Sequence, residues 1–147
     1  MRASTDDLLH SLFLLKSLLG AEFGKKSAPD DLNMPEYALL RCLARGRGAD
    51  GLTSVCEYLA VTKSSVSQTL AALEKRALLV RSTDPADRRN LIVTLTPEGS
   101  KRLRSKEAQV ERRLHALLGT LGEANARAFI ALIDKMNAAL SANKEEA

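Results

Sequence analysis

The chain has few aromatic residues and few residues that bind transition metals. Its 147 residues include no tryptophan, three phenylalanines and two tyrosines. His10, His115, Cys42 and Cys56 are the only histidines and cysteines, and no Cys-x-x-Cys motif or His/Cys cluster occurs. Because a metal site needs several such ligands close together, we expect no metal and no cofactor. Both cysteines lie among apolar residues, so we expect buried packing roles, with redox sensing as an alternative.

Signatures of catalysis and of membrane insertion are also missing. We find no nucleophile–base set, no catalytic pair of carboxylates and no glycine-rich phosphate loop, so we expect no enzymatic activity. No apolar run approaches the roughly 18 residues of a membrane span. The N-terminal apolar run, residues 8–19, is interrupted by polar residues and is typical of an amphipathic helix, not a signal peptide. We therefore expect a cytoplasmic protein without a membrane partner.

Apolar residues at spacings of three and four predict six helices, at about residues 5–25, 33–45, 52–59, 62–76, 97–118 and 123–142. Between the fourth and fifth helices, the apolar runs 78–80 and 91–95 flank a polar loop that contains proline, which predicts a β-hairpin. The fold class is thus mainly α with one small hairpin, in the order α1-α2-α3-α4-β-β-α5-α6. Residues 104–109 are polar, so we expect the middle of α5 to project without packing.

Positive charge is concentrated in one part of the sequence. Residues 62–104 contain nine basic and four acidic residues, a net charge of +5, whereas the remainder contains 13 basic and 14 acidic residues, a net charge of −1. Concentrated positive charge favours a polyanionic partner because binding releases counterions.

Two polar features lie inside this basic segment. Arg88 and Arg89 are adjacent in the hairpin loop, where there is no apolar surface to cover. The helix before the hairpin begins at Thr62 with several polar positions that helix stability does not require. These positions are Lys63, Ser64, Ser65, Ser67 and Gln68. A polar helix start followed by a basic hairpin predicts a winged helix that contacts double-stranded DNA in two grooves.

Three segments resemble the MarR family of bacterial transcription regulators, and the resemblance covers nearly the whole chain. They are residues 84–99 (DPADRRNLIVTLTPEG), 61–67 (VTKSSVS) and 33–40 (NMPEYALL). The resemblance implies a single domain, residues 1–147, with a winged helix-turn-helix lobe at 33–96. Residues 1–28 and 97–147 would form dimerisation helices of a homodimer that binds a pseudo-palindromic operator, with repression as the expected outcome.

The resemblance also assigns residue roles. It places Arg89, with Arg88 beside it, in the minor groove, and Asp87 in support of the wing. It places Ser64, Ser65 and Gln68 at base edges, and Thr62, Lys63 and Ser67 near phosphates. Members of the family often bind phenolic or other aromatic acids as effectors. In this chain Phe13, Tyr37 and Arg41 would border such a pocket.

The chain departs from the family pattern after the fourth helix, where Ala77 stands at a position that is commonly glycine. A left-handed residue other than glycine costs about 1 kcal/mol, so we expect this turn to be built differently. Two alternatives to a DNA-binding regulator remain at the level of sequence. The same scaffold could sense redox state through its cysteines, or it could be a winged-helix module that binds protein instead of DNA.

Overall fold

The structure is a computed structural model that describes residues 4–26 and 28–145. Residues 1–3, 27 and 146–147, which belong to the expected dimerisation segments, lie outside the described residues. Six helices and a two-stranded antiparallel sheet follow one another in the expected order. They are α1 (Thr5–Gly24), α2 (Met34–Ala44), α3 (Leu52–Leu59), α4 (Lys63–Lys75), β1 (Leu79–Thr83), β2 (Leu91–Leu95), α5 (Pro97–Gly119) and α6 (Glu123–Glu145).

Capping side chains determine where the central helices begin. The side chain of Asn33 accepts a hydrogen bond from the Glu36 N–H at 2.9 Å, and the Glu36 carboxylate accepts one from the Asn33 N–H at 2.9 Å. At the start of α4, Thr62 Oγ1 accepts from the Ser65 N–H at 3.1 Å. These bonds satisfy backbone donors that a helix leaves unpaired in its first turn. Asn33 and Thr62 therefore cap α2 and α4.

The turn after α4 differs from the expectation. Ala77 adopts the left-handed conformation, with φ of 55°, so the prediction of a different turn was wrong. The Leu78 N–H donates to the Leu73 carbonyl at 3.0 Å, and the Ala77 N–H donates to the Glu74 carbonyl at 2.9 Å. The Thr96 hydroxyl adds a bond of 2.8 Å to the Ala77 carbonyl. These three bonds offset the strain of about 1 kcal/mol that alanine carries there.

The hairpin is longer on its first strand than the apolar run 78–80 indicated. Pairing extends from Leu79↔Leu95 to Thr83↔Leu91. The polar residues 81–83 belong to β1 because they pair with the apolar residues of β2, which set the register. The loop between the strands is closed by a bond of 3.0 Å from the Asp84 N–H to the Asn90 carbonyl.

The chain divides into two compact units, residues 1–107 and 108–147. The core of the first unit is formed by apolar side chains of α2, α3, α4 and the start of the hairpin. Its members include Leu32, Leu39, Leu40, Val55, Val66, Leu70, Leu73, Leu78 and Leu79. Cys42 and Cys56 are also buried in this unit, which confirms their predicted packing role.

The first and last helices are covered very little by the rest of the chain. No residue of α1 is buried, although the helix carries many large apolar side chains. Those exposed on α1 are Leu8, Leu9, Leu12, Phe13, Leu14, Leu15 and Leu18. Those exposed on α6 are Phe129, Ile130, Leu132, Ile133, Met136 and Leu140. Within the described ranges, no helix taken singly has the length and apolarity of a membrane span, although α5 and α6 meet that test together as a bent pair.

The middle of α5 packs, contrary to our expectation. Lys106 is only 1% exposed, and Leu103 and Val110 are buried at spacings of three and four residues on either side of it. The Lys106 Nζ atom lies 3.2 Å from Asp31 Oδ2. A polar segment was expected to stay in water, but an ion pair to a residue far away in sequence allows the lysine to be buried.

Candidate nucleic-acid interface

The N-terminal half of α4 separates polar from apolar side chains. Val66, Leu70 and Leu73 are buried, and they attach the helix to the core. All of the polar positions that we assigned to DNA contact are exposed. They are Thr62, Lys63, Ser64, Ser65, Ser67 and Gln68. The helix thus presents a continuous polar surface at the end where its backbone N–H groups carry partial positive charge.

The loop of the hairpin is held by its own acidic residues. Asp87 Oδ1 accepts from the Arg89 N–H at 3.0 Å, and the Asp87 carbonyl accepts from the Asn90 N–H at 2.9 Å. Asp84 Oδ1 accepts from the Ala86 N–H at 2.8 Å. Such carboxylate-to-backbone bonds stabilise tight turns. They engage the backbone of the loop and leave the guanidinium groups of Arg88 and Arg89 exposed.

Ion pairs neutralise part of the positive charge that the sequence places in residues 62–104. Arg76 pairs with Glu36, Arg81 with Glu74, and Arg102 with both Glu98 and Asp30. In the part of the chain that the structure describes, six basic residues of this segment form no ion pair. They are Lys63, Lys75, Arg88, Arg89, Lys101 and Arg104.

These pairs also change the acidity of the carboxyl groups. The hydrogen bond from Arg81 lowers the pKa of Glu74, and the hydrogen bond from Arg102 lowers the pKa of Asp30. Both carboxylates therefore stay ionised at neutral pH and keep their arginines occupied. The unpaired charge is left on the start of α4, the hairpin loop and exposed positions near the ends of α4 and the start of α5.

The three residues expected to border an effector pocket have different environments. Tyr37 is buried, with 6% of its surface exposed, whereas Phe13 on α1 is 67% exposed. The Arg41 Nε atom lies 3.4 Å from Glu107 Oε1. That nitrogen is buried and has no hydrogen-bond acceptor among the described residues. The Arg41 side chain as a whole is 43% exposed, and its Nε stays within ion-pair distance of Glu107.

Two cavities occur elsewhere in the first unit, and sequence reasoning identified neither. A cleft of about 270 Å³ lies between the loop 46–51 and β2. A smaller one of about 80 Å³ lies among α2, α3 and α4. Neither is lined by the three residues expected at the effector pocket. The glycines of the loop 46–51 indicated a turn, and Gly46 and Gly51 have φ of 72° and 94°, but this pattern did not indicate a cleft.

The cysteines have little of the character of a redox sensor. Burial raises the pKa of the Cys42 thiol, with a smaller opposing effect of Arg47. A raised pKa reduces the fraction of thiolate, which is the reactive form. Cys56 is buried as well. The structure therefore favours packing over redox chemistry at both positions.

Comparison with known proteins supports the winged helix. Residues 32–99 match the family model described as a winged helix DNA-binding domain. The transcriptional regulator HosA of Escherichia coli O111:H- is 34% identical to this chain over 106 residues, which cover 72% of this chain and 78% of HosA. A solved MarR family transcription regulator, SP03579, has the same fold with a TM-score of 0.78, at 19% identity and with 97% of this chain and 96% of that chain covered. The chain belongs to the MarR family.

A second solved structure is similar in both sequence and fold. BpsR of Bordetella bronchiseptica is 30% identical, with a TM-score of 0.76, and the alignment covers 87% of this chain and 91% of BpsR. That structure concerns the regulation of BpsR DNA binding by 6-hydroxynicotinic acid. As a MarR family member with a winged-helix DNA-binding domain, the chain is a DNA-binding transcriptional regulator.

Proposed function

We propose that this MarR family protein is a homodimeric repressor that binds a pseudo-palindromic operator through α4 and the hairpin loop. The observation that carries the proposal is the state of Arg88 and Arg89. Their loop is fixed by Asp84 and Asp87, while both guanidinium groups are exposed and, among the described residues, form no ion pair. A rigid backbone that presents unpaired cations is suited to a polyanion.

Arg88 and Arg89, in the loop of the hairpin that forms the wing, are suited to the minor groove. Arg89 enters it, with Arg88 beside it, and narrow A·T-rich segments provide the strongest attraction because their negative potential is enhanced. Asp87 acts indirectly, since its bond of 3.0 Å to the Arg89 N–H fixes the backbone from which that side chain extends. The wing thus adds affinity and a preference for DNA shape.

The start of α4 fits the major groove. Gln68 can form two hydrogen bonds to adenine, and such a pair discriminates among bases by about 1–3 kcal/mol. Ser64 and Ser65 reach base edges with short hydroxyl groups that select less sharply. Thr62, Lys63 and Ser67 lie towards the phosphates, where the partial positive charge of the helix start adds attraction.

The exposed apolar side chains of α1 and α6 support dimerisation. Soluble monomers rarely expose large contiguous apolar surfaces, yet these two helices expose thirteen large apolar side chains between them. Association of two copies by a two-fold axis would cover such surfaces and give two winged helices in a symmetric arrangement. The two copies would then bind half-sites about one helical turn apart.

Selection of bound duplexes from a random pool tests this proposal. We expect a symmetric site whose half-sites carry a preferred base opposite Gln68. Gln68→Ala should relax the preference at that one position, because it removes a base contact. Lys63→Ala is the matched comparison, and it should weaken all sequences equally and reduce the salt slope by about one. An asymmetric selected site, or an unaltered site for Gln68→Ala, would contradict the assigned geometry.

We also propose that a phenolic or other aromatic acid releases the DNA. BpsR is the relevant relative, since its DNA binding is regulated by 6-hydroxynicotinic acid. In this chain the buried Nε of Arg41 forms no hydrogen bond to the described residues, and it lies 3.4 Å from Glu107, whose carboxylate a ligand carboxylate could replace. Phe13 is exposed and would supply apolar surface for the ring, whereas Tyr37 is buried and would have to move to contact it.

A thermal-shift panel of aromatic acids, including 6-hydroxynicotinic acid, tests the effector. A binding acid should raise the Tm of the wild type, in proportion to the logarithm of its concentration, and should release a bound duplex. Arg41→Gln should abolish the shift without loss of DNA affinity. If no acid in the panel shifts the Tm, this class of effector is rejected, whereas the DNA-binding proposal is unaffected.

A further inference from the structure

Charged residues connect the end of α4 to the segment that precedes α2. The guanidinium of Arg76, the residue that follows α4, donates to Glu36 at 2.9 Å and to the carbonyl oxygen of Asp30. The carboxylate of Asp30 pairs in turn with Arg102 of α5. All of these residues lie within residues 1–107. The short loop before α2 therefore contacts both α4 and α5 through charged groups.

A second link to α5 is buried. Asp31 Oδ2 accepts from Lys106 Nζ at 3.2 Å, and the lysine is 1% exposed. Asp31 Oδ1 also accepts from the Leu32 N–H at 2.9 Å, and Leu32 is fully buried. The loop is thereby fixed to the core on one side and to α5 on the other.

Stability alone does not account for a buried lysine at this position. Removing two charges from water costs about as much as their attraction returns, so apolar residues of similar volume often stabilise a fold equally well or better. An ion pair differs from apolar packing in its directionality, because it is satisfied in only one register. Buried polar groups of this kind are best known for fixing the register between helices.

The geometry here suits that role. Arg102 and Lys106 are four residues apart, so they lie on the same face of α5, one turn apart. They contact Asp30 and Asp31, which are adjacent. Two anchors one turn apart fix both the rotation of α5 and its position along its axis. Arg76 ties the same loop to the end of α4, and the buried residues Val66, Leu70 and Leu73 pack α4 into the core of the lobe. These charged contacts therefore connect the part of the chain that carries α4 to α5.

We propose that Lys106 and Asp31 are positioning residues, whose buried ion pair with the neighbouring Arg102–Asp30 pair fixes α4 relative to α5 and thereby sets the half-site spacing that the dimer accepts. The inference rests on the proposed function, since a spacing exists only for a dimer on DNA. It goes beyond that function because neither residue contacts DNA in the proposed arrangement.

The test uses the double variant Asp31→Asn/Lys106→Met. Asparagine keeps the acceptor for the Leu32 N–H, and methionine keeps most of the length of lysine without its charge. Affinity is measured by fluorescence anisotropy on the selected duplex and on duplexes with one or two base pairs inserted or deleted between the half-sites. For the wild type we expect each such change to weaken binding by about tenfold or more, because it displaces and rotates one half-site. For the double variant we expect the insertion or deletion of one base pair to weaken binding by only about threefold or less.

Two further variants separate positioning from general stabilisation. Lys106→Arg retains the charge and should retain the spacing profile of the wild type. Glu57→Gln removes an exposed carboxylate from α3, outside both the proposed DNA contacts and the dimerisation helices, and it should leave the profile unchanged. A pair that served stability alone would change the Tm of the double variant while its spacing profile stayed sharp.

The outcomes distinguish the two proposals. A sharp profile for both the wild type and the double variant overturns the positioning role and leaves the proposed function intact. A wild type that ignores spacing, or that does not bind duplex DNA, overturns the proposed function and the inference together. If the double variant does not fold, Arg102→Gln decides, because that side chain is 34% exposed. It should broaden the profile to a smaller extent, and an unchanged profile rejects the inference.

Discussion

The winged helix-turn-helix lobe and the terminal helices differ in how they bury apolar side chains. In the lobe, residues such as Leu40, Val55 and Leu73 are fully enclosed by α2, α3, α4 and the hairpin. In α1 no residue is buried, and α6 exposes apolar side chains along its length. The lobe therefore has a complete core within one chain, whereas the terminal helices have apolar surfaces that a second molecule would cover. This difference supports the proposed division, in which one region contacts DNA and the other forms the dimer.

The comparison also applies to charge. Arginines that pair with acids, such as Arg76 and Arg81, hold elements of the lobe together. Arg88 and Arg89 have no such partner among the described residues and lie in a loop that other groups stabilise. The paired arginines thus stabilise the fold of the lobe, whereas the arginines of the hairpin loop can contact a ligand.

Of the substitutions proposed here, Gly99→Ala is expected to destabilise the lobe most. A Cβ atom there would lie 1.8 Å from the carbonyl oxygen of Leu78, a backbone atom that cannot move aside cheaply. We expect Gly99→Ala to lower the free energy of unfolding by about 3 kcal/mol. Urea unfolding followed by circular dichroism measures it.

Gly119→Ala is the control for that substitution. No heavy atom lies within 4 Å of a Cβ at Gly119, and alanine favours a helix over glycine by up to about 1 kcal/mol. Stability should therefore be unchanged or higher. If Gly99→Ala proves as stable as Gly119→Ala, the close packing between α5 and the start of the hairpin is not what completes the lobe.

The next effect concerns the terminal helices. Leu132 on α6 is 59% exposed. If it lies in a dimer interface, Leu132→Glu places a charge in an apolar contact and should convert the dimer to monomers, with operator affinity reduced by about tenfold or more. Light scattering after size-exclusion chromatography measures the mass. Val80→Glu, at a site that is 53% exposed in the lobe, should remain dimeric. Equal masses for the two variants would contradict the claim that the terminal helices, and not the lobe, form the dimer interface.

The smallest expected effect is a dependence of folding stability on pH. The pKa values of Asp30 and Glu74 are lowered by their arginine partners. A carboxyl whose pKa is lower in the folded state stabilises that state above its unfolded pKa, and the contribution is lost as pH falls through the folded pKa. We expect these pairs to contribute fully at neutral pH and to fade below about pH 4.

Glu74→Gln isolates one of these contributions. The variant should lose less stability than the wild type when the pH is lowered from 7 to 3, because its pair with Arg81 is already absent. The difference should be small, since both side chains are partly exposed to solvent and salt. Thermal unfolding across this pH range measures it, and identical slopes for the two proteins would show that the pair contributes nothing.

Local signals in the sequence were sufficient for much of the fold. The starts of α2 and α4, the helix periodicity and the hairpin all depend on residues within a few positions of one another, and the structure agrees with these predictions. The end of β1 was missed because residues 81–83 are polar and are recruited by the register of β2. The left-handed Ala77 was missed because its compensating bond comes from Thr96, which is distant in sequence.

The burial of Lys106 could not be predicted for the same reason. Its partner Asp31 is 75 positions away, and nothing near residue 106 distinguishes it from an exposed lysine. The count of charges had a similar limit. It could not separate Arg81, which is paired, from Arg89, which forms no ion pair with any residue that the structure describes. The candidate DNA-contact residues came from local pattern and family resemblance, and their roles stay predictions.

The most direct test of the account is the affinity of Arg89→Ala for the selected operator at moderate salt, measured by fluorescence anisotropy. Arg127→Ala, which removes an exposed arginine from α6, is the matched control for loss of one positive charge. We expect Arg89→Ala to bind about tenfold or more weakly, with a shallower salt dependence and an intact dimer, and Arg127→Ala to bind as the wild type does. Equal affinity for Arg89→Ala and Arg127→Ala would contradict the claim that the hairpin loop binds DNA.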